Sequence, residues 1–350
     1  MPTLEEIARL SQVSRSTVSR VINNDPHVSD ATRARVLEVV ARVGYEPNAV
    51  ARSLAAGHTH IIGLLVPSGI ATAFGDPFFP IFTQAMASTC NARDYSVMLW
   101  LAEPDYERRM INQILGNGLH DGLIVSTIHL PDEIVDALVG AALPFVLIGQ
   151  HSQEVDSHYV DVENYRGAQE LAMYLLHLGY RRIAHICGPL DTLCAQHRRQ
   201  GFLDVMRARG HRVDASMMVE GDFTEASGYY AMQALLPQRP EAIFAGNDLM
   251  AIGAMRALRE AGLRVPDDVG VAGFDDVPAA ASADPPLTTV HQPTARMAVV
   301  ATEMLIDVVE QRDTLKHRVI LPTELVIRRS CGSGISAVST APPTRAPARP

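Results

Sequence analysis

TLEEIARLSQVSRSTVSRVIN, residues 3–23, decides the fold of the N-terminal part of the chain, because it has the pattern of two short helices joined by a tight polar turn. Apolar side chains recur at helical spacing in both segments, at Leu4, Ile7 and Ala8 and again at Val18, Val21 and Ile22. Ser14 precedes the second helix as its capping residue. The other face of that helix carries polar side chains that reach phosphates and base edges: Arg15, Ser16, Thr17, Ser19 and Arg20. The pattern predicts a helix-turn-helix whose second helix enters the major groove of DNA. An ordinary helical hairpin with a solvated polar face is the alternative.

A third helix is predicted to close this N-terminal core. It begins at Ser29 and ends at Gly44, with four apolar residues inside: Val36, Leu37, Val39 and Val40. Beyond it, residues 49–56 are mostly alanine, and a helix of that length is marginal in water without a partner. Either DNA or the same segment of a second copy of the chain would supply that partner.

Four stretches of this region, TLEEIA, VSRSTVSRVIN, VSDATRARV and GYEPNAVARSLA, resemble the LacI/GalR family of bacterial transcriptional repressors, and the resemblance continues to about residue 329. It implies an N-terminal all-α helix-turn-helix headpiece and an α/β two-lobed, periplasmic-binding-protein-like effector domain. The expected boundaries are a headpiece at 1–47, a hinge helix or linker at 48–58, and an effector-binding and dimerisation domain at 59–330, with lobe one at about 59–160 plus 291–320 and lobe two at about 161–290 plus 321–329.

The tail, residues 331–350, is predicted to be disordered because it is dominated from Ser333 onward by Ser, Thr, Ala and Pro. It contains no leucine heptad, which argues against a tetramer built through a C-terminal coiled coil.

Charge is unevenly distributed along the chain. The formal net charge is -9, but residues 1–60 contain seven Arg and six acidic residues, so this segment carries +1 and the remainder -10. The acidic Glu5 and Glu6 lie on the first helix and Arg15 and Arg20 on the second, so we expect the acids to lie apart from the DNA-reading face. An acidic effector domain repels DNA and leaves the headpiece as the attractive surface.

Composition places the chain among globular proteins, with 47% hydrophobic and 20% charged residues. No apolar run is long enough to span a bilayer, and Glu5 and Glu6 interrupt any secretory signal. We therefore expect a cytoplasmic protein, at the nucleoid when bound to its operator, with no membrane partner. The four cysteines show no C-x-x-C spacing and no His at metal-ligand spacing, so neither disulfides nor a metal nor another cofactor is expected.

From residue 61 onward the pattern changes to apolar strands alternating with helices, which predicts parallel sheets covered on both faces. The predicted strands are Ile61–Val66, Ser96–Leu101, Gly122–Ser126, Phe145–Ile148, Ile183–Cys187, Ala242–Ala245 and Val269–Gly273. The predicted helices are Phe82–Ala92, Tyr106–Leu115, Tyr165–Leu178, Arg199–Arg209, Thr224–Leu235 and Leu249–Ala261. This alternation is too long for one sheet, so two α/β lobes are expected.

Polar residues follow several of these strands. Asn247 and Asp248 follow one strand, Asp275 follows another, and a third runs into a turn that contains Thr192. In open α/β sheets a ligand binds beyond the carboxyl ends of the strands, so these residues are candidates for a pocket. Each also has a structural alternative, since Asn247 or Asp248 can cap the next helix and Asp275 can end a turn.

The segments AIFAGNDLMAIGAMRAL, VPDDVGVAGFDD and PPLTTVHQP are similar to LacI-type effector domains, which share their fold with periplasmic sugar-binding proteins. The resemblance implies that Asn247 and Asp275 bind the ligand and that Phe223 forms an aromatic wall. It also places Phe78 or Phe79 on the opposite lobe as an apolar platform. The candidate effector-binding residues are Phe78, Phe79, Thr192, Cys194, Gln196, Arg198, Phe223, Asn247 and Asp275.

One position departs from the family pattern. Many sugar-responsive members have an Arg where this chain has Gln196, two residues before Arg198. Glutamine still donates and accepts hydrogen bonds but lacks the guanidinium fork. A sugar is therefore the expected effector, with a nucleoside or another small polar metabolite as the alternative.

The same resemblance assigns DNA contacts. It puts Arg15 and Ser16 at base-reading positions with Arg20 beside them, and phosphate contacts at Ser14, Thr17, Ser19, Asn23, His27, Ser29 and Thr32. Thr3, Asn48, Ala51 and Leu54 complete the expected DNA-binding set. The implied partners are a pseudo-palindromic double-stranded operator, a second copy of the chain and a small-molecule effector.

Two other classes of function fit parts of the sequence. An α/β enzyme is disfavoured because the chain lacks G-x-S-x-G, a P-loop and a G-x-G-x-x-G after its strands. A solute-binding protein for uptake suits the two lobes but not the helix-turn-helix or the missing signal sequence.

Leu54 tests the hinge prediction. By resemblance, residues 48–56 become helical on a specific site, and Leu54 wedges into the central base step and kinks the duplex. Leu54→Ser should lower operator affinity in retardation and bending assays while ligand binding stays unchanged. If operator affinity and DNA bending both survive the substitution, Leu54 is instead a residue that packs on the effector domain.

Overall fold

The computed structural model describes residues 2–22, 25–45, 58–66, 74–101, 111–116, 118–126, 133–141, 143–150, 157–312 and 317–332. The chain divides into two compact units, Met1–His60 and Ile61–Pro350. No helix in these ranges is both long and apolar enough to cross a membrane.

The first unit is a three-helix bundle of α1 (Leu4–Ser11), α2 (Arg15–Ile22) and α3 (Asp30–Val43). Its core is small and aliphatic: Ile7, Ala8, Val18, Val21, Val36 and Val39. The apolar spacing predicted this core, with one error. Leu37 was expected inside but is 48% exposed, because it lies one position after the buried Val36 and therefore points to another side of the helix.

Local hydrogen bonds set the helix ends of this bundle. The Glu6 N–H donates to Thr3 Oγ1 at the start of α1 (3.2 Å), and the Thr17 N–H donates to Ser14 Oγ at the start of α2 (3.1 Å). Gly44 ends α3 at a φ of 62°, a backbone conformation in which glycine carries no Cβ penalty. Local side-chain and backbone contacts therefore define where α1 and α2 begin and where α3 ends.

The second unit contains the strands β1 (Ile61–Val66), β2 (Ser96–Leu101), β3 (Gly122–Ser126), β4 (Phe145–Ile148), β5 (His158–Val162), β6 (Ile183–Cys187), β7 (Met218–Glu220), β8 (Ala242–Ala245), β9 (Gly270–Ala272), β10 (Thr289–His291), β11 (Arg318–Leu321) and β12 (Glu324–Val326). Its helices are α4 (Phe78–Ala92), α5 (Glu133–Gly140), α6 (Asn164–His177), α7 (Leu193–Ala208), α8 (Glu225–Leu235), α9 (Asp248–Glu260), α10 (Pro278–Ser282) and α11 (Thr294–Val309). Residues 111–116 are also helical.

Lobe one is built on a six-stranded parallel sheet in the order β11-β5-β4-β3-β1-β2. Side chains of α4 and α11, among them Phe82, Met86 and Leu305, cover one face of it. The segment 111–116 and α5 cover the other face, with Ile114 and Leu138 buried. Burial on both faces explains why the strands are almost continuously apolar.

Lobe two is built on a four-stranded parallel sheet in the order β7-β6-β8-β9. Helices α8 and α9 cover one face and α6 and α7 the other. The first pair packs so closely that a Cβ on Gly228 would collide with the backbone of Met250, and one on Gly253 with the backbone of Glu225. Glycine is required there for close approach of the helices.

The chain crosses between the lobes after β5 and through β10 and β12, which pair with each other as a two-stranded antiparallel sheet. The crossings shift two of the expected lobe boundaries slightly, since β5 continues in lobe one to Val162 and β11 to Leu321. Cys331, which was assigned to the tail, is fully buried in the core of lobe two. The predicted tail from residue 333 lies outside the described residues.

The predicted strands agree with the observed ones to within a residue at each end, but β5, β7, β10, β11 and β12 were not predicted. The helix expected at Arg199–Arg209 begins instead at Leu193, and the one expected at Phe82 begins at Phe78. Part of the predicted helix Tyr106–Leu115 lies outside the described residues. The early start of α7 matters because it brings Cys194 and Arg198 onto one helix.

Candidate functional site

The exposed face of α2 carries the predicted DNA-reading side chains. Arg15, Ser16 and Arg20 are exposed, Thr17 and Ser19 are half-buried, and Val18 and Val21 point into the core. One side of α2 is therefore exposed and polar, and a helix face of this kind can enter the major groove of a DNA duplex.

Hydroxyl groups cluster at the N-terminus of α2. Ser14 Oγ is hydrogen-bonded with Ser16 Oγ at 2.7 Å and with Thr17 Oγ1 at 2.8 Å. The free N–H groups and positive dipole end of a helix N-terminus favour an anion, and hydroxyls beside them add donors for phosphate oxygens.

The arginines of α2 are paired with carboxylates, contrary to the expectation that the acids lie apart from this face. Arg15 Nε lies 3.0 Å from Glu5 Oε1, and Arg20 Nε lies 3.8 Å from Asp25 Oδ2. The sequence does not reveal these pairs, because Glu5 and Asp25 are on neighbouring segments that the fold brings alongside α2. The Arg15–Glu5 pair is solvent-exposed, and such pairs contribute only about 0–1 kcal/mol, so DNA can displace them.

The remaining predicted DNA contacts have local structural roles or are outside the described residues. Thr3 caps α1, and Ser29 Oγ donates to Thr32 Oγ1 at 3.0 Å just before α3. His27 is exposed and its Nδ1 lies 3.0 Å from Asp25 Oδ1. Asn23, Asn48, Ala51 and Leu54 lie outside the described residues.

A cavity of about 330 Å³ lies between the two lobes of the second unit. The carboxyl ends of strands from both sheets open onto it, as expected for an open α/β sheet. Eight of the nine candidate effector residues line it: Phe78, Phe79, Thr192, Cys194, Arg198, Phe223, Asn247 and Asp275.

Gln196 is the exception, and its assignment to the pocket is wrong. It is exposed, and its Nε2 donates to the backbone oxygen of Leu190 at 2.7 Å. Residues two positions apart on a helix point to nearly opposite sides, so Gln196 faces outward when Arg198 faces the cavity.

Phenyl rings form two walls of the cavity. Phe78 and Phe79 stand at the start of α4 on lobe one, with ring centroids 5.3 Å apart in an edge-to-face arrangement. Phe223 stands on lobe two at a φ of 67°, and its backbone oxygen accepts a hydrogen bond from Asn247 Nδ2 at 2.9 Å. The sequence offered Phe78 or Phe79 as the apolar platform, and both residues line the cavity.

Asn247 and Thr192 each line the cavity and cap a helix. Asn247 Oδ1 accepts from the Met250 N–H at the start of α9, so both of its amide atoms are engaged within the protein. Thr192 Oγ1 donates to Pro189 O at 2.7 Å and caps α7. Cys194 Sγ donates to the same Thr192 oxygen at 3.6 Å, and burial raises the pKa of its thiol, so it stays protonated.

Arg198 and Asp275 form the polar centre of the cavity wall, with side chains 5% and 10% exposed. Arg198 Nη1 lies 3.1 Å from Asp275 Oδ1, yet no donor in the described residues is aligned on that oxygen. The guanidinium instead directs its hydrogen bonds to Asn164 Oδ1 (2.9 Å) and Gly246 O (2.7 Å). Asp275 Oδ1 is therefore a buried ion-pair partner of Arg198 whose capacity to accept a hydrogen bond is unused among the described residues.

Several lining residues were not predicted from the sequence. Asp161 on β5 accepts from Gln150 Nε2 and from Asn164 Nδ2, each at 3.0 Å, and Asn164 accepts from Arg198. These contacts make a continuous polar chain from lobe one to lobe two. Asp76, at the turn before α4, and Gln292, after β10, also line the cavity.

Carboxylates outnumber cations around the cavity. Asp76, Asp161, Asp222 and Asp275 line it, and Arg198 is the cation among its described lining residues. Burial raises the pKa of Asp76 and of Asp161, against hydrogen bonds that favour their ionised forms. Burial likewise raises the pKa of Asp275 to about 7, because the opposing effect of Arg198 is smaller and Asp76 adds to the rise. Among the described residues, no cluster of His, Cys, Asp or Glu is arranged to hold a metal ion.

A helix-turn-helix unit followed by a two-lobed unit with a polar and aromatic cavity between the lobes defines a transcription regulator controlled by a small molecule. Residues 3–48 match the family of bacterial regulatory proteins, lacI family, and residues 172–331 match the periplasmic binding protein-like domain. The chain belongs to the LacI family of bacterial regulatory proteins, and it is a sequence-specific DNA-binding regulator.

The chain is similar to known regulators over nearly its whole length. It is 37% identical over 336 residues to the ribose operon repressor of Escherichia coli (strain K12), covering 94% of this chain and 100% of that protein. It is similar to the solved complex of the transcriptional regulator CelR with cellobiose, at 34% identity and a TM-score of 0.75, with 94% of this chain and 100% of that chain covered. It is also similar to the lac repressor dimer bound to operator and the anti-inducer ONPF, at 28% identity and a TM-score of 0.83, with 95% and 99% covered.

The raised pKa of Asp275 predicts a pH-dependent stability. Between about pH 4 and pH 7 the folded state holds a proton on Asp275 that the unfolded chain has released, so the free energy of unfolding falls as pH rises through this window. Asp275→Asn removes the titrating group and, with it, this fall in the free energy of unfolding. Its Tm relative to wild type should therefore rise between pH 5 and pH 7.5, with a free-energy slope of at most about 1.4 kcal/mol per pH unit.

Asp268→Asn is the matched control for this titration. Its carboxylate is exposed and hydrogen-bonded to Arg264, which holds the pKa of Asp268 below its usual value. That group is ionised in both folded and unfolded states above pH 5, so the Tm difference of this variant should stay constant. A constant difference for Asp275→Asn as well would show that Asp275 is ionised in the folded protein at pH 5.

Proposed function

We propose that the protein is a repressor that binds a pseudo-palindromic operator as a homodimer and releases or tightens its hold when an uncharged sugar occupies the cavity. The observation that carries the proposal is the convergence of phenyl rings and buried carboxylates from both lobes on one cavity, in a chain that begins with a helix-turn-helix. The lac repressor is a dimer on its operator in the solved structure, which supports the same assembly for this chain.

DNA reading is assigned to α2. Arg15 and Ser16 are exposed near its N-terminus, from which recognition helices contact base edges, and Arg20 lies one and a half turns further on. The hydroxyls of Ser14, Thr17 and Ser19, with His27, Ser29 and Thr32, would contact phosphates and fix the orientation of the helix. Asn48, Ala51 and Leu54 are assigned to the minor groove from the resemblance alone.

The effector is assigned to the class of uncharged polyhydroxylated molecules. A carboxylate accepts hydrogen bonds from ligand hydroxyls, and a phenyl face packs against the apolar face of a sugar ring. Asp275 and Asp161 supply the first kind of contact, and Phe78 and Phe223 supply the second.

Charge disfavours an anionic effector. A phosphorylated sugar or a carboxylic acid would have to approach Asp76, Asp161 and Asp222, and Asp275 adds negative charge where its proton is released, near pH 7. Arg198 already bonds Asn164 and Gly246 and pairs with Asp275. The like-charge repulsion is strong inside a cavity because the effective dielectric constant there is low. The cellobiose bound to CelR and the ribose in the name of the ribose operon repressor are uncharged sugars, which supports this class.

The protein has no assigned catalytic residues. Asp275 is ion-paired with the Arg198 guanidinium, and burial keeps the Cys194 thiol in the cavity lining protonated. We infer that it acts as a regulator and not as an enzyme, in the cytoplasm, where its operator DNA is.

Arg15→Ala tests base reading by α2. Arginine bonds guanine bidentately, so its loss should relax the preference at one or two base pairs and cost about 1–3 kcal/mol on the preferred operator. Quantitative retardation on a panel of single-base operator variants measures this. Glu5→Gln is the matched control, because it breaks the Arg15–Glu5 pair and leaves Arg15 in place, so the base preference should persist. Uniform weakening by Arg15→Ala on every sequence would make Arg15 a phosphate anchor only.

A thermal-shift screen tests the effector class. Ribose, glucose and cellobiose are compared with ribose 5-phosphate, glucose 6-phosphate and a purine base; a ligand of the folded state raises Tm by mass action. An uncharged sugar should raise Tm and change operator affinity, and Asp275→Ala should abolish both effects while retaining operator binding. A phosphorylated sugar that raises Tm more than its uncharged counterpart would contradict the proposed class.

A further inference from the structure

Asp276, the residue after the cavity residue Asp275, joins the two strands that cross between the lobes. Its Oδ1 accepts from Arg328 Nη2 at 2.6 Å, two residues after the end of β12. Its Oδ2 lies 3.1 Å from Nδ1 of His291, the last residue of β10. The Asp276 and Arg328 side chains are only 17% and 19% exposed, so solvent screens this charged pair less than a surface pair.

Arg328 extends the connection to the segment before β10. Its Nη1 donates to Leu287 O at 2.8 Å, and its backbone N–H donates to Thr288 Oγ1 at 2.9 Å. The planar guanidinium holds two acceptors at fixed angles, which a lysine could not do. One side chain therefore links the loop after β9, the approach to β10 and the exit from β12.

The loop after β9 has a strained backbone. Asp275 has a φ of 111° and Asp276 a φ of 59°, values that residues other than glycine rarely adopt. Such residues persist where the surroundings hold them. The Asp275 N–H donates to Val290 O at 2.8 Å, and the Gln292 N–H donates to Asp275 O at 3.3 Å, so the same crossing strand holds this loop from the other side.

Asp275 and Asp276 thus point to different partners from one short loop. Asp275 faces the cavity and Arg198, and Asp276 faces the crossing strands. Any rearrangement of the backbone that follows ligand contact at Asp275 must move Asp276 and the groups bonded to it.

We propose that Asp276, Arg328 and His291 form a crossing clamp, a set of positioning residues that couples occupancy of the cavity to the relative placement of the two lobes. The clamp touches no ligand, since none of its members lines the cavity. It acts by holding Asp275 against β10 and by passing its displacement to β10 and β12. This inference rests on the proposed function only in treating the cavity as the effector site.

Hydrogen exchange of the full-length protein without ligand tests the clamp directly. In Asp276→Asn and in Arg328→Gln, amides of residues 287–292 and 324–329 should exchange at least about tenfold faster, while those of β6 and β8 keep their wild-type rates. Arg264→Gln removes an exposed Arg–Asp pair of the same lobe that precedes β9, whereas Asp276 follows it, and should leave these segments unchanged. His291→Gln retains a donor for Asp276 and should lie close to wild type.

The coupling itself is the second readout. Ligand affinity and the ratio of operator affinities with and without ligand are measured with the saccharide that gives the largest thermal shift. The clamp variants should keep ligand affinity within about threefold of wild type, and the operator-affinity ratio should fall to less than a third of its wild-type value. A double variant no worse than the single ones would show that Asp276 and Arg328 act as one unit.

Two results would overturn the clamp: unchanged exchange of the crossing segments in both variants, or an operator-affinity ratio that stays at its wild-type value. If an Asp276 variant fails to fold, His291→Ala, which removes the exposed donor alone, serves for both readouts. If no saccharide binds the wild-type protein, the proposed effector class fails, and the exchange measurement without ligand still decides whether the clamp holds the crossings.

Discussion

The ligand cavity depends on the buried guanidinium of Arg198. It bonds Asn164 at the start of α6 and the backbone of Gly246 after β8, pairs with Asp275 after β9, and lies 3.7 Å above the ring centroid of Phe274. A cation removed from water is tolerated only when several acceptors surround it, and truncating a partner of such a pair costs about 3–5 kcal/mol. The ends of separate elements of lobe two are therefore held at one point, and the polar chain through Asn164 and Asp161 continues this order into lobe one.

The architecture of both units could be predicted from the sequence because their cores are apolar and periodic. Continuous runs such as Ile61–Val66 and Ala242–Ala245 are buried on both faces, so their strand identity follows from composition alone. β5 was not predicted, because Asp161 and His158 interrupt its apolar pattern. The same interruption concealed a carboxylate of the cavity, since Asp161 could not be placed at a strand end while its strand was unrecognised.

Other parts of the site depend on contacts between distant segments, which a local pattern does not contain. A helix start at Leu193 was hidden by the polar residues that follow it, and the register of α7 then decides that Arg198 faces inward and Gln196 outward. The pairing of Arg15 with Glu5 requires the angle between α1 and α2. The backbone conformation of Asp275 and Asp276 follows from the crossing strands, which lie fifteen and more residues further along the chain.

The carboxylates beside the arginines of α2 bear on how the protein searches a genome. A surface whose cations are already matched by acids releases few counterions on random sequence, so its hold on random DNA is weak. A bacterial chromosome presents on the order of a million competing sites, and occupancy of one operator depends on the ratio of specific to non-specific affinity. A headpiece with little net charge therefore leaves fewer protein molecules bound to non-specific DNA. Fewer molecules per cell are then needed to occupy the operator.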